Sequence, residues 1–139
     1  MIRIIPSLLL SEKKLVKGQN FSNYKNAGNP ITTILALDSQ KADEIFLIDL
    51  DAYRSRKNPD IETLKKISEI LSTPLTFGGG VESIDVSKKI LMNGADKVFI
   101  NTAFISNKNL IEEIAYIFGS QAIVAGLNLI NYKNNFIIS

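Results

Sequence analysis

Three consecutive glycines, Gly78-Gly79-Gly80, follow an apolar run directly and precede a segment of helical period. Residues without a Cβ let the main chain approach an anion closely, and a helix N-terminus offers free N–H groups to it. A plain tight turn would use the same glycines. Asn101-Thr102, two short hydrogen-bonding side chains at the end of another apolar run, tilt the reading toward a phosphate cradle made of Gly79, Gly80, Asn101 and Thr102. Asp49 and Asp51 end a third run, where a carboxylate can orient a substrate or move a proton. Asp51 can equally cap or solvate the loop that follows, with Arg54, Arg56 and Lys57 to screen it. Lys17-Gly18 lies in a connection of about seventeen residues, longer than most of its kind and read as a mobile lid over an anionic substrate. A solvated lysine is the alternative there.

What the chain lacks narrows the chemistry. Among its 139 residues there is no cysteine and no histidine. Disulfides and thiolate metal sites are thereby excluded, and the usual metal ligand and general base near neutral pH are missing. Acid–base work falls to Asp, Glu, Lys or Tyr, and neither a metal nor a cofactor is expected. A net charge of +2 without a long basic run gives no footprint for nucleic acid. Lys13-Lys14 and Lys65-Lys66 read as solvated faces. The apolar run 4–10 is broken by Pro6 and is too short for a signal sequence or a membrane span. No membrane is expected, and a cytoplasmic location is the default.

These residues must be held by something, and the pattern says what. Runs rich in Ile, Leu, Val and Phe at 3–10, 44–50, 74–77, 97–100 and 122–128 are nearly continuous, as in parallel strands buried on both faces. Between them lie amphipathic segments. Asn29-Pro30 opens one; residues 60–71 place Ile61, Leu64, Ile67 and Ile70 on one face; Ser83 caps 84–92, which Asn93-Gly94 stops; 110–118 ends at Gly119. Strand-then-helix alternation fits either an open doubly wound sheet or an arc of a barrel. A repeat favours the barrel: Ala42-Asp43-Glu44-Ile45-Phe46-Leu47-Ile48 recurs as Ala95-Asp96-Lys97-Val98-Phe99-Ile100-Asn101. The expected fold is α/β, of the (β/α)8 TIM-barrel family, with the first five βα units in one domain over 1–139. Asn131 to Asn135 reads as a turn and Phe136 to Ile138 as a short returning strand. Five strands cannot close a barrel, so the chain is expected to be incomplete or to pair with another.

Arg3, Glu44 and Lys97 each open a strand. They can form a charged ring at the bottom of a barrel, or simply snorkel at strand ends. Strand parity puts Arg3 on the face of Leu9 and Lys97 on that of Asn101. Glu44 and Asp49, five residues apart, face opposite ways unless the strand bends or ends first.

Taken together, Arg3-Ile4-Ile5, Leu15-Val16-Lys17-Gly18, Gly28-Asn29-Pro30, Phe77-Gly78-Gly79-Gly80, Gly94-Ala95-Asp96-Lys97-Val98, Ile100-Asn101-Thr102-Ala103 and Gly119-Ser120-Gln121-Ala122 resemble, in register, the cyclase subunit of imidazole glycerol phosphate synthase. The resemblance covers the N-terminal half of that family's barrel plus its fifth strand. It implies a synthase or lyase of histidine biosynthesis that joins ammonia, made by a glutaminase partner subunit and passed along the barrel axis, to a phosphorylated small-molecule substrate. In that family the positions of Gly80, Asn101 and Thr102 hold a substrate phosphate, Lys17 lies on the lid, and Asp49 sits at the active-site rim. Arg3, Glu44 and Lys97 match an ammonia gate, and Asp96 matches a residue facing the glutaminase.

The family's acid–base pair, one Asp late in the first strand and one late in the fifth, is here Leu9 and Asn128. Leucine carries no proton, and asparagine keeps hydrogen bonding without basicity. Each loss removes an acid–base contribution of ~10²–10⁴-fold. The runs Pro6-Ser7-Leu8-Leu9-Leu10 and Ile48-Asp49-Leu50-Asp51-Ala52 look more like a related branch found with surface-polysaccharide genes, which aminates a nucleotide-linked sugar. A catalytically inactive glutaminase-binding scaffold, or a fragment, is the further alternative.

Overall fold

The computed structural model describes residues 2–19, 22–55, 57–132 and 135–138. The chain opens with β1 (Ser7–Ser11), β2 (Lys14–Gln19) and β3 (Ser22–Gly28) before α1 (Pro30–Ser39). Then come β4 (Ile45–Asp49), α2 (Leu50–Ser55), α3 (Ile61–Ser68), β5 (Leu75–Gly78), α4 (Ile84–Met92) and β6 (Lys97–Ile100). Helices α5 (Thr102–Ser106) and α6 (Lys108–Phe118), β7 (Ile123–Ala125) and a hairpin of β8 (Leu129–Tyr132) and β9 (Asn135–Ile138) complete it.

β1, β4, β5, β6 and β7 lie side by side in chain order, each parallel to the next. This is an α/β fold with a parallel sheet, consistent with the TIM-barrel family. Its helix-facing side is apolar: Leu10, Leu47, Phe77, Val98 and Ile100 pack with Ile34, Leu64, Ile67, Ile90 and Ile114 from the helices. Full burial of such side chains contributes roughly 1.5–3 kcal/mol apiece. The helices start where short polar side chains can take an early amide. Asn29 accepts from the Thr32 N–H at 3.2 Å, Asp60 from Thr63 at 3.0 Å and Ser83 from Val86 at 3.3 Å. No helix among the described residues is long and apolar enough to cross a membrane.

On the other face of the sheet, Leu9, Ile48, Gly78 and Phe99 stand in register across four strands. Phe46 meets Phe99 edge-on, with ring centroids 5.7 Å apart. Leu9, Phe46, Ile48 and Phe99 are only half buried, unlike the sealed layer opposite.

Several expected bounds shift. The long connection expected as a lid loop is instead an antiparallel ribbon, β2–β3, added to the edge of β1. The first strand begins at Ser7 rather than 3, because Pro6 has no N–H for a ladder; its carbonyl still accepts from Phe46. The strand expected over 122–128 shortens to Ile123–Ala125, after a 3₁₀ turn at Ser120–Ala122. In the expected turn, Asn131, Tyr132 and Asn135 belong to the β8–β9 strands, while Lys133 and Asn134 lie outside the described residues.

Candidate active site

At the C-terminal ends of the parallel strands a cavity of about 460 Å³ opens. Gly79, Gly80, Asn101 and Thr102 all line it, as do Leu9 and Asn128. The glycines have a steric reason to be there. Gly79 has φ +119°, and a Cβ on it would lie 2.1 Å from the carbonyl oxygen of Asp49. Gly80 has φ +62°, and its Cβ would approach the Ala52 carbonyl to 2.9 Å. The turn after β5 is therefore pressed against the turn from β4 into α2. Asn101 precedes α5 without capping it, so its amide is not spent on that helix.

Asp49 has the opposite character. It is buried, and both carboxylate oxygens are engaged by main-chain donors: Oδ1 accepts from Asp51 at 2.9 Å and Ala52 at 3.1 Å, Oδ2 from Asp60 at 2.8 Å. Burial pushes its pKa above the ordinary carboxylate value, against the pull of those three amides. Parity accounts for the placement. Glu44, Phe46 and Ile48 share the open face of the sheet, so Asp49 turns to the helix side, where it tethers the start of α2 and the residue that caps α3. Asp49 thus lines the cavity and braces its wall at the same time.

Asp51 binds the root of the ribbon, accepting from Ser11 Oγ at 2.8 Å and from the Glu12 N–H at 2.6 Å. Lys17 is exposed on β2 and does not line the cavity. Arg56, expected to screen Asp51, lies outside the described residues.

The three charged strand openers meet at the other end of the sheet. Glu44 is 2% exposed, and its Oε2 accepts from both Arg3 and Lys97 at 2.8 Å. Its Oε1 accepts from Thr76 Oγ1. Desolvation works to raise the Glu44 pKa, but the bonds from Lys97, Thr76 and Arg3 prevail and hold it below the ordinary value. Two bases on one acid is not simple snorkelling. Asp96 is exposed nearby and accepts from the Leu75 N–H at 2.8 Å, closing the start of β5.

Tyr24, Tyr53 and Arg54 also line the cavity, beyond the site residues expected from the sequence. Leu50, Tyr53 and Arg54 stand at i, i+3 and i+4, one face of a helix. That signal becomes readable only once α2 is known to be helical.

The family model described as "Histidine biosynthesis protein" matches residues 3–138. Imidazole glycerol phosphate synthase subunit HisF of Hydrogenobaculum sp. (strain Y04AAS1) is 42% identical over 126 residues, covering 91% of this chain and 50% of that protein. The subunit HisF of Sulfurisphaera tokodaii is 40% identical over 136 residues, covering 98% and 55%. That of Methanocaldococcus jannaschii is 40% identical over 126 residues, covering 91% and 46%. The chain thus spans about half the length of the curated relatives it matches. With an in-register match over nearly its whole length and a parallel α/β sheet beneath it, the chain belongs to the histidine biosynthesis protein family.

Proposed function

We propose that residues 1–139 form one N-terminal unit, the first five βα units of a (β/α)8 barrel, in a cyclase subunit of imidazole glycerol phosphate synthase. In this reading the protein acts in histidine biosynthesis on a phosphorylated substrate, with ammonia from a glutaminase partner. The observation that carries it is the convergence of Gly79, Gly80, Asn101 and Thr102 on one cavity at the strand ends. The relatives' names give the reaction class. The half-buried apolar face with Leu9, Ile48 and Phe99 has the character of a barrel interior that further strands would cover.

The roles follow from chemistry at each position. The glycine turn offers a main-chain surface with no side chain in the way, and Asn101 and Thr102 supply neutral donors to a phosphate. Asp49 keeps that turn in place. Asn128 orients substrate by hydrogen bonding, and Leu9 contributes apolar surface only. Within this unit the cavity therefore binds and orients, and neither of those two positions supplies a titrating carboxylate. At the opposite end, Arg3, Glu44 and Lys97 form the ammonia entrance, and the exposed Asp96 lies on the side where the glutaminase docks. Lys17, at the ribbon, approaches the substrate when the ribbon closes.

Asn101→Ala tests the cradle. Phosphate affinity, followed by calorimetric titration, is expected to fall about tenfold, the worth of one hydrogen bond to a charged group. Unchanged affinity would remove Asn101 from the site.

A further inference from the structure

Arg54 is the only cation lining the cavity among the described residues. It makes no ion pair with a described carboxylate. Its guanidinium carbon instead lies 4.3 Å from the ring centroid of Tyr24, which also lines the cavity. Tyr24 belongs to β3, so the contact joins the ribbon to α2 across the cavity mouth. The ribbon is shaped for that ring: a Cβ on Gly18 of β2 would stand 2.8 Å from Tyr24 Cε1. Helix α2 is itself fixed, because the Ala52 carbonyl abuts Gly80 and Asp49 holds the Asp51 and Ala52 amides.

We propose that Arg54 is a phosphate-contacting, specificity-determining residue of this cavity, kept at its mouth by Tyr24 until an anionic ligand arrives. The proposal rests on the phosphate reading above and adds a cation to a cradle otherwise made of neutral donors. An exposed cation–π contact is weaker than a charge-assisted hydrogen bond to phosphate, so a bound phosphate draws the guanidinium from the ring. Two acids line the same cavity. Asp49 has both oxygens committed to amides, and Glu82 is exposed at the rim. Arg54 offsets their field where a dianion must enter, favouring phosphate esters over neutral sugars.

The test uses the 139-residue chain and ribose 5-phosphate, titrated calorimetrically at low ionic strength. Arg54→Gln is expected to weaken binding about tenfold or more. Arg54→Lys keeps the charge and most of the affinity. Tyr24→Leu removes the ring but not the charge, and is expected to cost no more than about threefold. If Arg54→Gln and Tyr24→Leu weaken binding equally, the pair is only a clasp for the ribbon and the proposal is overturned. It is overturned too if Arg54→Gln binds like the wild type while Asn101→Ala does not, an outcome that leaves the cradle standing. Absence of saturable binding by the wild type removes the cradle reading and this inference together.

Discussion

Gly79→Ala is expected to lower folding stability by about 3 kcal/mol or more and to abolish phosphate binding. Two penalties combine. A φ of +119° is outside the basins open to an L side chain, and such strain costs of order 1–3 kcal/mol. The new Cβ would also lie 2.1 Å from the Asp49 carbonyl oxygen, which is main chain and cannot rotate aside. Relief requires the β5 turn to move off the β4–α2 turn, and those two turns form the floor of the cavity. Gly28→Ala is the control. Its φ is +122°, but a Cβ there would meet nothing nearer than the Thr33 hydroxyl at 3.5 Å. Urea unfolding should rank Gly79→Ala well below Gly28→Ala. Equal losses would mean that the two turns are not pressed together as described.

Lys97→Met is expected to destabilise the chain by about 2 kcal/mol at neutral pH, with a loss that shrinks in acid. Breaking a buried ion pair by removing one partner typically costs 3–5 kcal/mol. Here the more exposed Arg3 stays behind and still serves Glu44, which reduces the loss. In the wild type Glu44 is held below its ordinary value of 4.5. A depressed carboxylate contributes stability that is present above the unfolded value and is lost as pH falls through the folded one. Without Lys97, desolvation gains ground and the Glu44 pKa rises. The stability gap between the two proteins should therefore be widest near pH 7 and narrow below about pH 4.5. Denaturant titrations at pH 7 and pH 3 check this, and a gap independent of pH would show that Lys97 does not act through Glu44.

How far the sequence disclosed this arrangement depended on whether a residue's type matched its task. The parallel strands and the α1, α3 and α4 starts were legible, because continuous apolar runs and Asn29, Asp60 and Ser83 are the residues such positions favour. The ribbon was not. β1 turns into β2 at Glu12-Lys13, both at positive φ (48° and 59°), where asparagine and glycine are the usual choice. That turn is held from a distance, by Asp51 on the Ser11 hydroxyl and the Glu12 amide and by Lys13 paired with Glu62 at 2.7 Å. Residues 14–19 and 22–28 are also mostly exposed and polar, so no buried face imposed a readable alternation. Helix α2 was hidden for a related reason: its six residues are too few for a period. Asp49 reads as a rim carboxylate from its position at a strand end, and it does line the cavity. Its amide partners emerge only when the strand ends at residue 49 and the chain turns back over it.

The cradle at the strand ends is the centre of this account, and amide chemical shifts of the isotopically labelled chain test it most directly. During titration with ribose 5-phosphate, the Gly79, Gly80, Asn101 and Thr102 amides should shift together along one saturating curve, while those of Lys97 and Asp96 at the opposite end stay in place. Saturating shifts confined to other surfaces, with these four amides unmoved, would contradict it.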